Sequence, residues 1–157
     1  MIGFIAPGRV RGQVFTEEWL KTNFGDVHKT ATGEEIKKGG YPDVGSGVYS
    51  NKLSYADWYK FNNAQRAHQN YLEFAPSTYA FLLIGGIYFP IPSAAIGLGI
   101  FIARIIYAYG YVAGGPNGRL IGALANDVFI LALFVLSIIS SIYWIQGNQI
   151  LGQTNSQ

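Results

Sequence analysis

The chain has no cysteine, which excludes disulfides, thiolate metal sites and a cysteine nucleophile. It has two histidines. His28 has no companion ligand, and His68 reads first as a packing or hydrogen-bonding residue, so no metal site is expected. Charge is scarce as well. Only 13% of the residues are charged, against roughly 25% in an average soluble domain. The net charge of +2 is too small to draw the chain to nucleic acid, and no basic stripe is interleaved with surface aromatics. Strand-type alternation is missing too. No secretory signal is expected, because the apolar start Met1-Ile2-Gly3-Phe4-Ile5-Ala6 is short and is stopped by Pro7.

What charge there is lies at one end. Of twenty Asp, Glu, Lys and Arg residues, only Arg66, Glu73, Arg104, Arg119 and Asp127 lie beyond Lys60. Residues 1–54 therefore read as a soluble or interfacial region, 55–146 as a transmembrane bundle and 147–157 as a polar tail. In the first region Thr16-Glu17-Glu18 has the form of an N-cap followed by acids in the first turn of a short helix. Gly39-Gly40-Tyr41-Pro42-Asp43 and Gly45-Ser46-Gly47 read as loop. Ser54 is an N-cap candidate for a helix running through Arg66 and Glu73.

Three apolar spans follow. The first, from Ser54, is apolar between Phe74 and Phe89, is expected to kink at Pro76, and is broken by Pro90 and Pro92. The second runs from about Ser93 to Val112 and ends at Gly114-Gly115-Pro116. The third runs from about Leu120 to Ile145. Each approaches the ~20 residues that cross hydrocarbon as a helix, and unpaired backbone is not tolerated there. The fold class expected is all-α, an integral membrane helical bundle with three clear transmembrane helices. The Lys and Arg residues outside the spans lie in the N-terminal region and the 113–119 loop. Two crossings separate these, so both belong to the cytosolic side. Ala95, Gly99 and Ala103 form a small-residue seam suited to close helix approach.

A polar constellation stands against this apolar background. Arg66, Asn70 and Glu73 fall at i, i+4 and i+7, on one helix face; Arg104, Tyr107 and Tyr111 fall at i, i+3 and i+7 on the second span, with Tyr109 pointing elsewhere. Arg119 lies in the following loop. Ionisable groups in membrane segments are functional candidates by default. Arginine binds carboxylate as a bidentate fork, Glu73 suits an ammonium, and Asn70 and the tyrosines suit amides. A small zwitterion with two carboxylates and an amine fits that inventory, and glutathione is one. The bland alternative is an internal Arg66–Glu73 ion pair, with Arg104, Tyr107 and Tyr111 as interfacial anchors. Asp127, alone in the third span, reads as a helix–helix hydrogen bond or the partner of an arginine.

These residues resemble a known family. Phe61-Asn62-Asn63-Ala64-Gln65-Arg66-Ala67-His68-Gln69-Asn70-Tyr71-Leu72-Glu73 is similar to the second-helix signature of the MAPEG membrane proteins, of eicosanoid and glutathione metabolism. Ala103-Arg104-Ile105-Ile106-Tyr107-Ala108-Tyr109-Gly110-Tyr111 with Gly114-Gly115-Pro116 is similar to the third-helix signature. The resemblance covers residues 55 to about 146. It implies a homotrimer of helical bundles in the endoplasmic reticulum or mitochondrial membrane, with glutathione as co-substrate bound between protomers. The activity implied is glutathione conjugation to lipophilic electrophiles, or glutathione-dependent reduction of lipid hydroperoxides. Arg66, Asn70, Glu73, Arg104, Tyr107 and Tyr111 match glutathione contacts; His68 stands where another member has Gln, and Arg119 matches the arginine credited with activating the thiol. Phe74 stands where some members have Tyr. The family has four spans, and Gly8-Arg9-Val10-Arg11-Gly12 is similar to the basic ending of the first, with Arg11 at a contact position. Here the first helix is expected truncated or missing, with a remnant near residues 8–12, and the 16–54 stretch is longer than in animal members. A non-catalytic subunit of a larger membrane complex, derived from the same bundle, is the competing expectation.

Overall fold

The computed structural model describes residues 2–39 and 43–154, with side chains described for 7–39 and 43–147. Five helices follow one another: α1 (Ile2–Val14), α2 (Glu17–Thr32), α3 (Tyr55–Tyr88), α4 (Pro90–Gly118) and α5 (Leu120–Thr154), with a 3-10 turn at Ser50–Lys52. Among the described residues there is no strand. The all-α helical bundle expected from the sequence is what the chain forms. It divides into two compact units, Met1–Gln69 and Asn70–Gln157.

In the N-terminal unit the helix ends are set by their caps. Thr16 accepts a bond from Trp19 N at 3.2 Å, as expected, and α2 runs for 16 residues before Gly33 ends it at φ 76°. Ser54 caps α3 as expected: its hydroxyl accepts from Asp57 N at 3.2 Å and donates to the Asp57 carboxylate at 2.7 Å. The N-terminal stretch departs from expectation. Pro7 does not stop the helix; α1 runs through it. A mid-helix proline costs roughly 3 kcal/mol, and the packing of Val10 and Val14, both buried against Phe15, Phe61 and Ala64, holds the helix in place. Thirteen residues make a helix about 20 Å long at 1.5 Å per residue, shorter than the ~30 Å hydrocarbon core.

That unit closes on aromatics. Phe15 and Phe61 are fully buried with ring centroids 5.1 Å apart, and Trp19 and Tyr49 lie at 5.4 and 6.4 Å from Phe15. Beside them stands a buried carboxylate, read from the sequence only as loop. Asp43 Oδ1 accepts from Gly45 N at 2.7 Å, Gly47 N at 3.0 Å and the Ser50 hydroxyl at 2.9 Å, while Oδ2 accepts from Ser50 N at 2.7 Å. Trp58 then donates to Gly45 O at 2.9 Å. One side chain thus supplies the acceptors that a strandless, helix-free loop would otherwise lack.

In the C-terminal unit, α4 and α5 are long and apolar enough to cross a membrane. Only 28% and 17% of their most apolar windows are buried, so they are not core helices of a water-soluble domain; Leu98, Phe101, Leu124, Leu131 and Trp144 all face outward. The first of the three expected spans differs. α3 continues through Pro76 to Tyr88 over 34 residues, but its apolar part begins only at Phe74 and contains Pro76, Ser77, Thr78 and Tyr79. Among the described residues, length and apolarity therefore coincide in α4 and α5. The break at Pro90 is sharp: Phe89 is the single non-helical residue, and Pro90 occupies the first position of α4, where its missing N–H costs nothing.

The α4–α5 hairpin is built on glycine. The chain reverses at Gly115, whose φ of 63° is open to glycine and strained for other residues. Beyond the reversal a Cβ on Gly122 would stand 2.3 Å from Tyr107 N and 2.9 Å from Ala103 O. The seam expected from Ala95, Gly99 and Ala103 is thus displaced. Ala103 belongs to the close approach, whereas Gly99 makes room for the Phe129 ring and Ala95 is exposed. Across to α3, the Ser140 hydroxyl donates to Ile84 O at 2.6 Å.

Candidate functional site

Because α4 doubles back at Gly115, Arg119 returns beside the tyrosines one and two turns past Arg104. Its Nη1 donates to the Tyr107 hydroxyl at 3.2 Å, and its guanidinium lies 5.2 Å from the Tyr111 ring centroid. That bond from Arg119 to Tyr107 holds the guanidinium above its ordinary pKa. Tyr107 and Tyr111 are 3% and 4% exposed, whereas Tyr109 is 67% exposed. The sequence expectation of a shared Arg104–Tyr107–Tyr111 face, with Tyr109 elsewhere, therefore holds. The interfacial-anchor alternative fits Tyr109 and not the two buried rings.

Arg104 is the hub. Its Nη1 donates to Asn70 Oδ1 at 2.8 Å, and its guanidinium stands 5.1 Å from the Tyr107 ring, 5.5 Å from Tyr71 and 5.7 Å from Phe74. Asn70 in turn reaches Glu73 through a long 3.5 Å bond. Glu73 is exposed. A continuous polar line therefore runs Glu73–Asn70–Arg104–Tyr107–Arg119, with Tyr111 alongside. Its ends have opposite charge, and three rings shield its middle; a cation over such faces gains about 0.5–2 kcal/mol. The arrangement can receive an ammonium at Glu73 and anions at the two guanidiniums.

The remaining expected residues belong to the N-terminal unit. Arg66 is exposed and His68 half-buried on the first part of α3. Arg11 donates from Nη2 to Asp43 O at 3.3 Å and stands 5.5 Å from the Phe61 ring, so it takes part in the core of that unit. The ion pairs among the described residues, Lys21–Glu17, Lys29–Glu35 and Lys37–Glu34, are all there and all exposed. Asp127 is exposed, and its carboxylate accepts from Asn126 Nδ2 of the same helix at 3.5 Å. Its charge acts on Arg104 of α4, in keeping with the partner-arginine expectation.

Three residues beside the line escaped sequence reasoning. Tyr71 stacks near Arg104 and shares a 3.0 Å hydroxyl–hydroxyl bond with Tyr79. Asn126 is 2% exposed, and an amide inside an apolar span is the sequence signal for it.

A model described as the MAPEG family matches residues 27–139 of the chain, well over half its length. The match takes in Arg66, His68, Asn70, Glu73, Arg104, Tyr107, Tyr111 and Arg119, and leaves out Arg11. Together with two outward-apolar helices of membrane-crossing length, it marks a membrane protein. The chain belongs to the MAPEG family.

Proposed function

We propose that the protein is a membrane-bound glutathione transferase that also reduces lipid hydroperoxides with glutathione, similar among MAPEG proteins to microsomal glutathione S-transferase 3. The observation that carries this is the line Glu73–Asn70–Arg104–Tyr107–Arg119, assembled from α3, α4 and their following turn. Glu73 takes the ammonium of glutathione and Arg104 a carboxylate, with Asn70 and Tyr111 on its amides. The family resemblance adds Arg66 and His68 as further glutathione-binding residues.

Arg119 acts at the sulfur. A free thiol of this kind titrates near 8.5, and a guanidinium beside it favours the thiolate. Lowering by two pKa units corresponds to about 2.7 kcal/mol. In conjugation the thiolate attacks an electrophilic carbon; the carbon–sulfur bond forms as the leaving group departs with its electron pair, and the thiol proton passes to water. In peroxide reduction the sulfur attacks the terminal oxygen and the O–O bond breaks. The lipid leaves as its alcohol and glutathione becomes a sulfenic acid, which a second glutathione converts to the disulfide and water. A homotrimer in the endoplasmic reticulum or mitochondrial membrane supports this chemistry, with lipophilic electrophiles delivered from the bilayer.

The test is a conjugation and hydroperoxide assay on the purified protein beside Arg119→Ala. The variant is expected to lose roughly 10²–10³ in kcat, the scale of removing one preorganised donor to a developing charge. Equal inactivity of both proteins would overturn the proposal. A second reading has one observation behind it. Arg11, a contact position in the family resemblance, is engaged within the N-terminal core by Asp43 and Phe61. That suits a non-catalytic subunit of a larger membrane complex. Purification as a free trimer without other chains removes this reading.

A further inference from the structure

In the C-terminal unit a half-open cavity of about 150 Å³ lies between α3, α4 and α5. Leu82, Ile100 and Phe101 make much of its wall apolar. Two buried polar atoms interrupt that wall. Arg104 Nη2 and Asn126 Oδ1 each lack a hydrogen-bond partner among the described residues, and both residues line the cavity. One is an obligate donor and the other an acceptor. Asn126 is 2% exposed, and its Nδ2 is already directed to Asp127, which leaves the oxygen for the cavity. Buried polar atoms are as a rule paired, and an unpaired one asks for a partner. The Tyr71 and Tyr79 hydroxyls, bonded to each other, lie on the same wall.

A space of this size lined by apolar side chains accepts a benzene ring. Here the ring-sized space carries a donor and an acceptor as well. A hydroxyl satisfies both, accepting through a lone pair and donating its proton. We infer that this cavity binds a small lipophilic alcohol of the phenol class, its hydroxyl accepting from Arg104 Nη2 and donating to Asn126 Oδ1. The site borders the proposed glutathione site at Arg104, whose Nη1 is bonded to Asn70 while Nη2 faces this cavity. A carboxylate would answer Arg104 but leave two acceptors facing at Asn126. A plain hydrocarbon would fill the space and leave both polar atoms unanswered.

The experiment uses the full chain in lipid nanodiscs without glutathione, with empty nanodiscs to subtract partitioning. Fluorine NMR follows titration of 4-fluorophenol and of 4-fluorotoluene, which match in shape and differ by hydroxyl against methyl. Saturable binding of the phenol at least about tenfold tighter than the toluene is expected, since sites built to bond a hydroxyl reject analogues that lack it by still larger factors. Asn126→Leu should abolish the preference while keeping the toluene, and Ala75→Phe, on the cavity wall, should block both. Equal affinity for the two probes in the unaltered protein overturns the inference, as does a preference that survives Asn126→Leu. Should Asn126→Leu not fold, retention of phenol binding by Ala75→Phe overturns it instead. Transferase assays run in parallel show whether failure here and failure of the glutathione reading coincide.

Discussion

Residues 1–69 close around Phe15 and Phe61, with a buried carboxylate tying the adjacent loop, whereas residues 70–157 close around glycine backbones and a chain of polar side chains. The first unit follows the logic of proteins in water, where removing aromatic surface from solvent is the main driving force. The second follows the logic of helices in lipid. Tails are as apolar as leucine there, so association relies on close backbone approach and on hydrogen bonds between helices. Phe15, Leu20 and Phe61 accordingly point inward in the first unit, whereas Leu98, Leu124 and Leu131 point outward in the second.

The comparison can be broken most forcefully at Phe15. Phe15→Ala should destabilise the N-terminal unit by about 3–5 kcal/mol, speeding amide exchange in α1, α2 and residues 43–53. Comparable acceleration in α4 and α5 would show that the two units do not stand on separate cores. Asp43→Ala comes next, at about 3 kcal/mol, because three backbone N–H groups and a hydroxyl lose a charged acceptor. The effect is also pH-dependent. Burial alone would raise the Asp43 carboxyl, but bonds from Ser50, Gly45 and Gly47 outweigh it and hold the group below its ordinary range. With the folded value depressed, the stabilisation is complete above the unfolded value near 3.9 and is lost as pH falls through the folded one. Emission from Trp58, bonded to Gly45 O, should follow that loss, and Asp43→Ala should flatten it.

In the C-terminal unit Gly122→Ala should cost about 1–3 kcal/mol by overpacking, read as faster exchange across α4 and α5. A neutral result would mean that the hairpin does not depend on backbone contact at Tyr107. The smallest effect is expected at Thr16→Ala, about 1 kcal/mol from a lost helix cap. Circular dichroism and exchange confined to the first turn of α2 check it.

Local signals were the legible ones. Thr16 and Ser54 announce their helices because a cap is a contact between residues three apart. Gly114-Gly115-Pro116 announces the reversal because a positive φ is written as glycine. The Arg104–Tyr107–Tyr111 face follows from helical spacing alone. What escaped depends on residues far apart in the chain. Nothing near Asp43 says that Ser50 and Gly45 fold around it, and nothing near Phe15 names Phe61. Pro7 misled because the packing that outweighs it comes from Phe61 and Ala64. Of the candidate site, Asn70, Glu73 and the third-helix residues could be placed from their spacing, and Asn126 could not, because its role depends on the wall opposite.

The Gly115 reversal carries a consequence for how this chain tolerates change in length. Arg119 and Gly122 are set against Tyr107 only through this short reversal, so deleting one residue between Val112 and Gly118 would shift both out of register with α4. Arg119 would swing off Tyr107, and the bare edge at position 122 would be replaced by a bulkier neighbour. That short segment is a phase gauge, and substitutions within it should be far better accepted than any indel.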